Sequence, residues 1–285
     1  MSLTKREIMQ EIVRCGRDPV YFTNNYAKIS EPMRGLIPFD LYDFQKEALG
    51  HFNENRFSVI LKARQLGIST TVAAYVCWLM LFQREKNVLV VATKLSTATN
   101  LVKKIKSIHK HLPAWLKIAD ISINNRTSFE LTNGSQVKAS STSGDAGRSE
   151  ALSLLVVDEA AFVEGMDELW AGLYPTLSTG GRCIALSTPN GVGNWFHKTY
   201  TEAIEGKNDF LTIKLPWSIH PDRDERWFKK ETRNMSAREI AQELECNFNA
   251  SGDTVVSGDD IRRLLEFCSE PEHRTGFDRN YWIWK

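Results

Sequence analysis

The sequence lacks the features of a secreted, membrane-spanning or disulfide-stabilised protein. Its five cysteines are scattered and odd in number, and no CxxC pair occurs, which argues against a disulfide framework or a zinc site and favours a reducing compartment. The first ten residues carry the charges of Lys5, Arg6 and Glu7 and no apolar core, unlike a secretion signal. The longest apolar run, Val72 to Phe82, is shorter than the roughly 20 residues of a membrane span. We therefore expect no membrane association.

The sequence also has almost no net charge. With 36 Lys and Arg against 35 Asp and Glu, the formal charge is +1, so tight sequence-independent DNA binding by this chain alone is not implied. At 285 residues, 42% hydrophobic and 25% charged, the chain can form one large core and a smaller subdomain. A local basic cluster allows two interpretations, a solvated helix face or a DNA contact; its members are Lys103, Lys104, Lys106, His109, Lys110 and His111.

One apolar run ends in residues that suit a nucleoside triphosphate. Within RFSVILKARQLGISTT, Phe57 to Leu61 predicts a buried strand, Lys62 to Gly67 a turn, and Ser69 the opening of an apolar helix. The backbone N–H groups of such a turn face phosphates, and a hydroxyl at Ser69 can reach Mg²⁺. This segment is a candidate phosphate-binding loop, although an ordinary strand-to-helix turn would look similar.

The loop departs from the usual GxxxxGK[ST] pattern at two positions. Lys62 stands where the first glycine is expected, and Ile68 stands where the phosphate-binding lysine is expected. Because Ile68 cannot neutralise a phosphate, the positive charge must come from elsewhere in the turn. Lys62 and Arg64 are the two candidates, since a long side chain at either position can fold back over the loop.

A second apolar run ends in two carboxylates. Leu154 to Val157 predicts a strand buried on both faces, and Asp158 and Glu159 follow it directly. At the carboxyl end of a parallel strand, Asp158 can hold hydrated Mg²⁺ and Glu159 can deprotonate the attacking water. Acidic residues also favour the first turn of a helix for its dipole, which is the non-catalytic alternative.

A third strand, Arg182 to Leu186, leads into small polar residues. Hydroxyl and amide groups at a strand end can sense the γ-phosphate or the attacking water, although a plain β-turn is the local alternative. The residues are Ser187, Thr188, Pro189, Asn190 and Gly191. Phosphate loop, acidic strand end and polar strand end follow each other in the order typical of a P-loop ATPase.

The remaining pattern alternates strands and helices. We predict an α/β fold of the P-loop NTPase (RecA/ASCE-like) class, with a mostly parallel sheet, helices on both faces and a small helical lid. Further strands are predicted near Val88 to Ala92, Ser128 to Leu131 and Gln136 to Ala139, the last two as an inserted hairpin. Helices are predicted near Ser96 to His111, Asp167 to Leu177 and Asn194 to Glu205, with two amphipathic helices at Asp222 to Arg233 and Ser236 to Phe248.

These motifs together resemble the ATPase domain of the bacteriophage large terminase, the motor that packages viral DNA. The likeness runs from about Tyr42 to Phe248. It includes the loop, the acidic strand VVDEAAF and the segment Ser187 to Gly191, which is similar to the family's coupling motif. The resemblance implies ATP and Mg²⁺ as cofactors, with Ser69 and Asp158 holding the metal. It implies nucleotide contacts from the loop, namely Lys62, Arg64, Gln65, Leu66, Gly67, Ile68, Ser69 and Thr70.

The resemblance assigns three further roles. Gln45, in the segment Tyr42 to Gln45, matches the family's adenine-recognition residue, and an amide offers adenine both a donor and an acceptor. Arg148 matches an arginine that in some members reaches the neighbouring subunit's ATP, so it is a candidate catalytic finger beside Arg64 and the base Glu159. Some terminases also place their lysine at the beginning of the loop, as Lys62 is here.

The resemblance also implies partners and location. We expect double-stranded viral DNA, the portal protein and the small terminase subunit as partners. A monomer in solution would assemble into a homo-oligomeric ring. The location would be the host cell cytoplasm, transiently at the procapsid portal vertex.

We divide the chain into three parts. An ATPase core spans 1–215, with an N-terminal extension at 1–40; a lid or linker subdomain spans 216–270; and 271–285 begins a linker. Because complete members of the family continue into a ribonuclease-H-like nuclease, we expect ATPase but no nuclease activity from this sequence.

Two rival hypotheses remain beside the DNA-translocating ATPase. A helicase-type ATPase would need a second sheet domain with its own arginine motif. A non-hydrolytic nucleotide-binding module would have a loop that degenerated at Ile68, but the pair Asp158 and Glu159 favours hydrolysis.

Overall fold

The computed structural model describes residues 4–142, 150–251, 273–275 and 281–283. Its centre is an eight-stranded sheet with strand order β10-β3-β9-β8-β4-β7-β6-β5. The twelve strands in the described ranges are β1 (Lys28–Glu31), β2 (Gly35–Pro38), β3 (Phe57–Lys62), β4 (Asn87–Ala92), β5 (Ile121–Asn124), β6 (Ser128–Leu131), β7 (Gln136–Ser140), β8 (Leu154–Asp158), β9 (Arg182–Ser187), β10 (Phe210–Leu215), β11 (His273–Thr275) and β12 (Tyr281–Ile283). Strands β1 and β2, like β11 and β12, form separate antiparallel pairs.

The predicted mostly parallel α/β sheet is confirmed. Strands β10, β3, β9, β8, β4 and β7 pair in parallel, whereas β7, β6 and β5 pair antiparallel. Strands β3 and β8 are buried almost throughout, as expected for strands that are covered on both faces. The hairpin predicted around Asn133 is present as β6 and β7.

Ten α-helices are described, along with several short 3-10 turns. They are α1 (Lys5–Arg17), α2 (Pro19–Tyr26), α3 (Asp43–Glu54), α4 (Ile68–Phe82), α5 (Leu95–His111), α6 (Met166–Leu173), α7 (Trp195–Ile204), α8 (Glu225–Glu231), α9 (Ala237–Glu243) and α10 (Phe248–Ser251). In these described ranges, none of the helices combines the length and the apolar character needed to cross a bilayer.

The connections place helices on both sides of the sheet. Helix α4 joins β3 to β4, and α7 joins β9 to β10, in opposite directions along the strand order. Because parallel crossovers are right-handed, opposite directions put the two helices on opposite faces. The phosphate-loop helix α4 is therefore a core element, and most of its residues are buried.

The predicted N-terminal extension packs onto the core. Cys15 and Phe22 are fully buried, Phe22 lies edge-on to Phe82 with ring centroids 5.6 Å apart, and the Trp78 indole donates to the Cys15 carbonyl at 2.8 Å. Helices α1 and α2 thus help to bury α4, the helix that carries the phosphate loop.

Three predicted helices are shorter than expected. Those predicted at Asp222 to Arg233 and Ser236 to Phe248 form α8 (Glu225–Glu231) and α9 (Ala237–Glu243). The helix predicted to Leu177 ends as α6 at Leu173, and Tyr174–Leu177 forms a 3-10 turn. Pro175 explains this end, because proline has no N–H to continue the α-helical ladder. In the region predicted as a lid, the described helices α8, α9 and α10 end at Ser251; the rest of the lid boundary stays a prediction.

Candidate nucleotide-binding site

Three strand ends meet at one edge of the sheet, as the sequence predicted. Strand β9 lies between β3 and β8, with Leu61 opposite Ser187 and Asp158 opposite Leu186. The last residues of these strands are therefore neighbours at the carboxyl edge of the sheet; they are Lys62, Asp158 and Ser187. In open α/β sheets, this edge is where ligands bind.

The phosphate loop is a tight turn that opens α4. Gln65 and Gly67 both have positive φ, 57° and 74°, and the N–H groups of Thr70 and Thr71 bond to the Gly67 carbonyl at 2.9 Å. The amides of Ile68 and Ser69 precede these first bonds of α4, so they remain available to an anion.

The side chains of Leu66 and Ile68 point into the core and are 2% and 1% exposed. Nucleotide contacts by Leu66 and Ile68 stay a prediction, which their main-chain atoms rather than their buried side chains would fulfil.

The two predicted metal ligands lie side by side. The Ser69 hydroxyl donates to Asp158 Oδ1 at 3.4 Å, close to the roughly 3 Å that separates adjacent ligands in an octahedral Mg²⁺ shell with bonds of about 2.1 Å. No cluster of three or more His, Cys, Asp or Glu suited to a metal occurs among the described residues. Mg²⁺ in phosphate sites needs only one or two protein oxygens, and this pair fits that requirement.

Lys62 is a buried cation that interacts electrostatically with both candidate carboxylates, Asp158 and Glu159. Burial lowers the pKa of its ammonium group, while the charges of Asp158, Glu159 and Glu243 act in the opposite direction. Burial likewise raises the pKa of Asp158, against the attraction of Lys62. A lysine at the end of β3 therefore shares this edge of the sheet with Asp158, the candidate metal ligand.

Arg64 is the more exposed of the two candidate cations and contacts the lid. Its Nε lies 3.1 Å from Glu243 Oε2, and its N–H donates to the Glu243 carbonyl at 2.7 Å. The side-chain contact is ionic rather than an aligned hydrogen bond, because Glu243 Oε2 has no hydrogen-bond donor in the described part of the chain. The two predicted cations thus differ, with Lys62 inside the site and Arg64 paired at its rim.

The candidate base Glu159 is exposed and is held by a residue that the sequence analysis missed. Its backbone is left-handed, with φ of 56°, and the Thr93 hydroxyl donates to its Oε2 at 2.9 Å. Thr93 directly follows β4, so the strand predicted to end at Ala92 already indicated that the next side chain lies at the same edge.

Gln45 braces the loop in this structure. Its amide donates to the Leu66 carbonyl at 2.9 Å, and its Oε1 accepts from the Tyr42 N–H at 3.1 Å. The side chain is 3% exposed. Adenine recognition by Gln45 stays a prediction, whereas its bonds within the protein fix the loop to α3.

The segment Ser187 to Gly191 bridges the acidic strand end and α10. The Ser187 hydroxyl accepts from the Ala161 N–H at 3.2 Å, and Asn190 Nδ2 donates to the Ala161 carbonyl at 3.2 Å. Thr188 and Pro189 are buried between these contacts. Gly191 N–H donates to the Ser251 hydroxyl at 2.9 Å, so this loop contacts both β8's exit and α10.

A comparison with known protein families identifies the family of this chain. A sequence model described as "Terminase large subunit, T4likevirus-type, N-terminal" matches residues 59–263, which is well over half of the chain. The chain belongs to the terminase large subunit family. The match includes the phosphate loop, both carboxylates and the coupling segment, and it confirms the resemblance found in the sequence.

A relative in sequence gives the same family. The chain is 29% identical over 138 residues to "Probable terminase, large subunit gp28" of Escherichia phage Mu, a match that covers 41% of this chain and 24% of the Mu protein. The matched part thus spans about a quarter of that relative's length.

Solved terminase structures share the fold. The Thermus phage P74-26 large terminase ATPase domain superposes with a TM-score of 0.60 at 19% identity, covering 74% of this chain and 94% of that one. The HK97 large terminase gives a TM-score of 0.65 at 18% identity, with coverages of 92% and 60%. The large terminase of a thermophilic bacteriophage in complex with ADP gives 0.57 at 13% identity, with coverages of 72% and 52%. These likenesses confirm the predicted ATPase-domain fold.

Two more side chains of this terminase reach the loop without any signal in the local sequence. The Lys104 ammonium donates to the Thr70 hydroxyl at 3.1 Å, and burial lowers its pKa, against the attraction of Asp158. The Arg223 guanidinium donates to the Gln65 carbonyl at 2.9 Å from a position 158 residues away. Lys104 belongs to the predicted basic cluster, so one member of that cluster faces the nucleotide site.

The candidate finger Arg148 lies outside the described residues, so its role stays a prediction.

Proposed function

We propose that this terminase domain hydrolyses Mg²⁺-ATP and uses the cycle to move double-stranded DNA into a viral procapsid. One observation carries the proposal: the Ser69 hydroxyl and the Asp158 carboxylate meet at 3.4 Å beside the amide-rich start of α4. This arrangement suits a metal-chelated phosphate. Solved structures of a thermophilic bacteriophage's large terminase in complex with ADP and with ATP-gamma-S support a nucleotide as ligand.

The residues divide the chemistry among them. The loop amides and Lys62 would hold the phosphates, and Ser69 with Asp158 would hold Mg²⁺, which would neutralise phosphate oxygens. Glu159 accepts the proton of the attacking water, since its carboxylate is exposed and oriented by Thr93. A cation near the γ-phosphate stabilises the charge that builds up during transfer; Arg64 supplies it in cis, and Arg148 is the candidate from a neighbouring subunit.

Transmission to the lid follows from contacts at both sides of the site. The segment Ser187 to Asn190 is bonded to Ala161, and Gly191 is bonded to Ser251 in α10. Arg64 and Glu243 form a second link between loop and lid. A change in the charge at the γ-phosphate position would therefore act on the lid along two routes.

The wider role follows the family. We propose that monomers of this protein assemble into a homo-oligomeric ring on the portal, together with the small terminase subunit. The ring would form transiently at the procapsid vertex in the host cytoplasm.

The decisive experiment measures phosphate release with Mg²⁺-ATP. Wild-type turnover should be abolished by Glu159→Gln and retained by Glu164→Gln, a matched exposed carboxylate five positions later. Turnover should rise more steeply than protein concentration if a neighbour supplies Arg148. No turnover at any concentration, with ATP still bound, would instead identify a non-hydrolytic nucleotide-binding module.

A further inference from the structure

A basic groove lies apart from the nucleotide site. It occupies about 680 Å³ between the C-terminal half of α5 and the β5–β6 hairpin. Its walls carry four lysines, and the lining also includes two histidines and an aromatic ring: Lys103, Lys106, Lys110, Lys117, His109, His111 and Phe129. Lys104, the neighbour of Lys103, instead contacts Thr70. Helix α5 therefore directs Lys104 toward the phosphate loop and its other lysines toward the groove.

The positive charge in this groove is not neutralised by the protein. Within the described ranges, none of the four lysines forms an ion pair with a carboxylate. Lys106 and Lys117 donate to the main-chain carbonyls of Asn125 and Lys110, which orients them without cancelling their charge. Asp120 is the one carboxylate among the described lining residues. The groove thus presents an excess of about three positive charges in a chain with a net charge of only +1.

A buried nitrogen in the groove lacks a partner. His109 is 3% exposed, and its Nε2 makes no hydrogen bond to any described residue. Its ring lies edge-on to Phe129, with centroids 5.3 Å apart. Burial and the charge of Lys117 lower the pKa of His109, so the imidazole is neutral near pH 7. An unsatisfied buried polar atom destabilises a protein, and a bound water or ligand offsets that cost.

We propose that this groove binds the sugar–phosphate backbone of DNA. Lys103, Lys106 and Lys110 are spaced i, i+3 and i+7 on α5, which aligns them on one face over about 10 Å of helix. Because a DNA strand carries a phosphate every ~3.4 Å of helix axis, that length faces several phosphates at once. A single small anion would need fewer cations and a closed cavity, and this groove is open to solvent.

The choice of DNA rests on the proposed function. The site itself shares no residue with the phosphate loop, the metal ligands or the base. Contacts to phosphates give position and affinity without sequence preference, which is what a protein that moves along DNA requires.

The test compares two double variants in binding to a fluorescently labelled 30-base-pair duplex. Lys103→Ala with Lys110→Ala removes two groove cations, and Lys5→Ala with Lys198→Ala removes two exposed cations elsewhere. The groove variant should bind roughly tenfold more weakly at 0.1 M salt. Its slope of log affinity against log salt should fall by about 2. The control variant should behave like the wild type.

Lysine footprinting by mass spectrometry supplies a second measurement. The duplex should shield Lys110 and Lys117 from an amine-reactive reagent and leave Lys5 and Lys198 accessible. The proposal is overturned if the wild type binds no duplex at low salt, or if the two double variants have the same affinity and slope. It is equally overturned if the groove variant loses binding to polyglutamate but not to the duplex.

Phosphate release keeps this outcome separate from the proposed function. Both double variants should retain basal turnover. If the protein hydrolyses ATP but the groove variant binds DNA like the wild type, the ATPase proposal stands and the proposal that the groove binds DNA is overturned. A groove effect in a chain that never hydrolyses ATP would support the groove and contradict the motor.

Discussion

The Gln45 amide occupies space that a side chain at Gly67 would need. An ideal Cβ built on Gly67 would lie 2.6 Å from Gln45 Nε2, and the same amide donates to the neighbouring Leu66 carbonyl at 2.9 Å. Gly67 also has φ of 74°, which L-residues rarely adopt. Two independent constraints therefore require glycine here, and the loop's shape depends on a residue of α3.

Gly67→Ala should weaken both the fold and ATP binding. The left-handed backbone alone costs about 1–2 kcal/mol. The added methyl group would also collide with the Gln45 amide and so displace the loop. Gly206→Ala is the matched control, because Gly206 has φ of 69° and nothing within 4 Å of its added Cβ. Denaturant unfolding should show a similar loss of stability in both variants. ATP titration should show a loss of affinity only in Gly67→Ala. Unchanged ATP binding in that variant would argue against the bracing role of Gln45.

Thr93→Val should lower turnover with little change in the KM for ATP. The substitution keeps the shape of Thr93 and removes the hydroxyl that orients the Glu159 carboxylate. Misplacing a general base costs up to the 10²–10⁴-fold that such catalysis contributes, and we expect a loss of roughly tenfold. Thr93→Ser retains the hydroxyl and should recover most of the activity. Equal turnover in the Val and Ser variants would show that this bond is irrelevant to catalysis.

Lys62→Ala and Arg64→Ala should separate binding from catalysis. A charge-assisted hydrogen bond is worth about 1.5–3 kcal/mol, so losing Lys62 should weaken ATP affinity by roughly 10- to 100-fold. Arg64 is exposed and paired with Glu243 in the structure, so its loss should mainly reduce turnover. Isothermal titration with a non-hydrolysable analogue and steady-state phosphate release measure the two effects. Should Lys62→Ala leave both quantities unchanged, its assignment to the phosphates is wrong.

His109 should make stability depend on pH. Burial lowers its pKa in the folded state below the unfolded value of about 6.5, so the unfolded chain binds the extra proton first. The stability that depends on neutral His109 is therefore present above about pH 6.5 and is lost as the pH falls toward the folded-state pKa. The loss is about 1.4 kcal/mol for each unit by which the folded-state pKa lies below the unfolded one. Thermal unfolding from pH 7.5 to 5 should show a smaller loss for His109→Gln than for the wild type. Parallel curves for the two proteins would exclude His109 as the titrating group.

Local patterns anticipated the parts of the site that belong to single strands and turns. The runs before Lys62, Asp158 and Ser187 are apolar and short, so burial forces them to be strands and places their polar successors at an edge. The helix predicted to Leu177 shows the limit of such patterns, because the apolar periodicity continues past Leu173 while Pro175 has already removed a backbone donor.

Chain order alone established that the molecule has a phosphate loop followed by an acidic and a polar strand end, because strand character and turn chemistry depend on neighbouring residues. Tertiary packing decided which side chains from other segments contact the phosphate loop and the strand ends. Thr93 and Glu159 are 66 residues apart, and Lys104 and Thr70 are 34 apart. Arg64 meets Glu243 only because α9 lies against the loop. Such contacts depend on how helices and strands settle against each other, and no periodicity within a single segment records that arrangement.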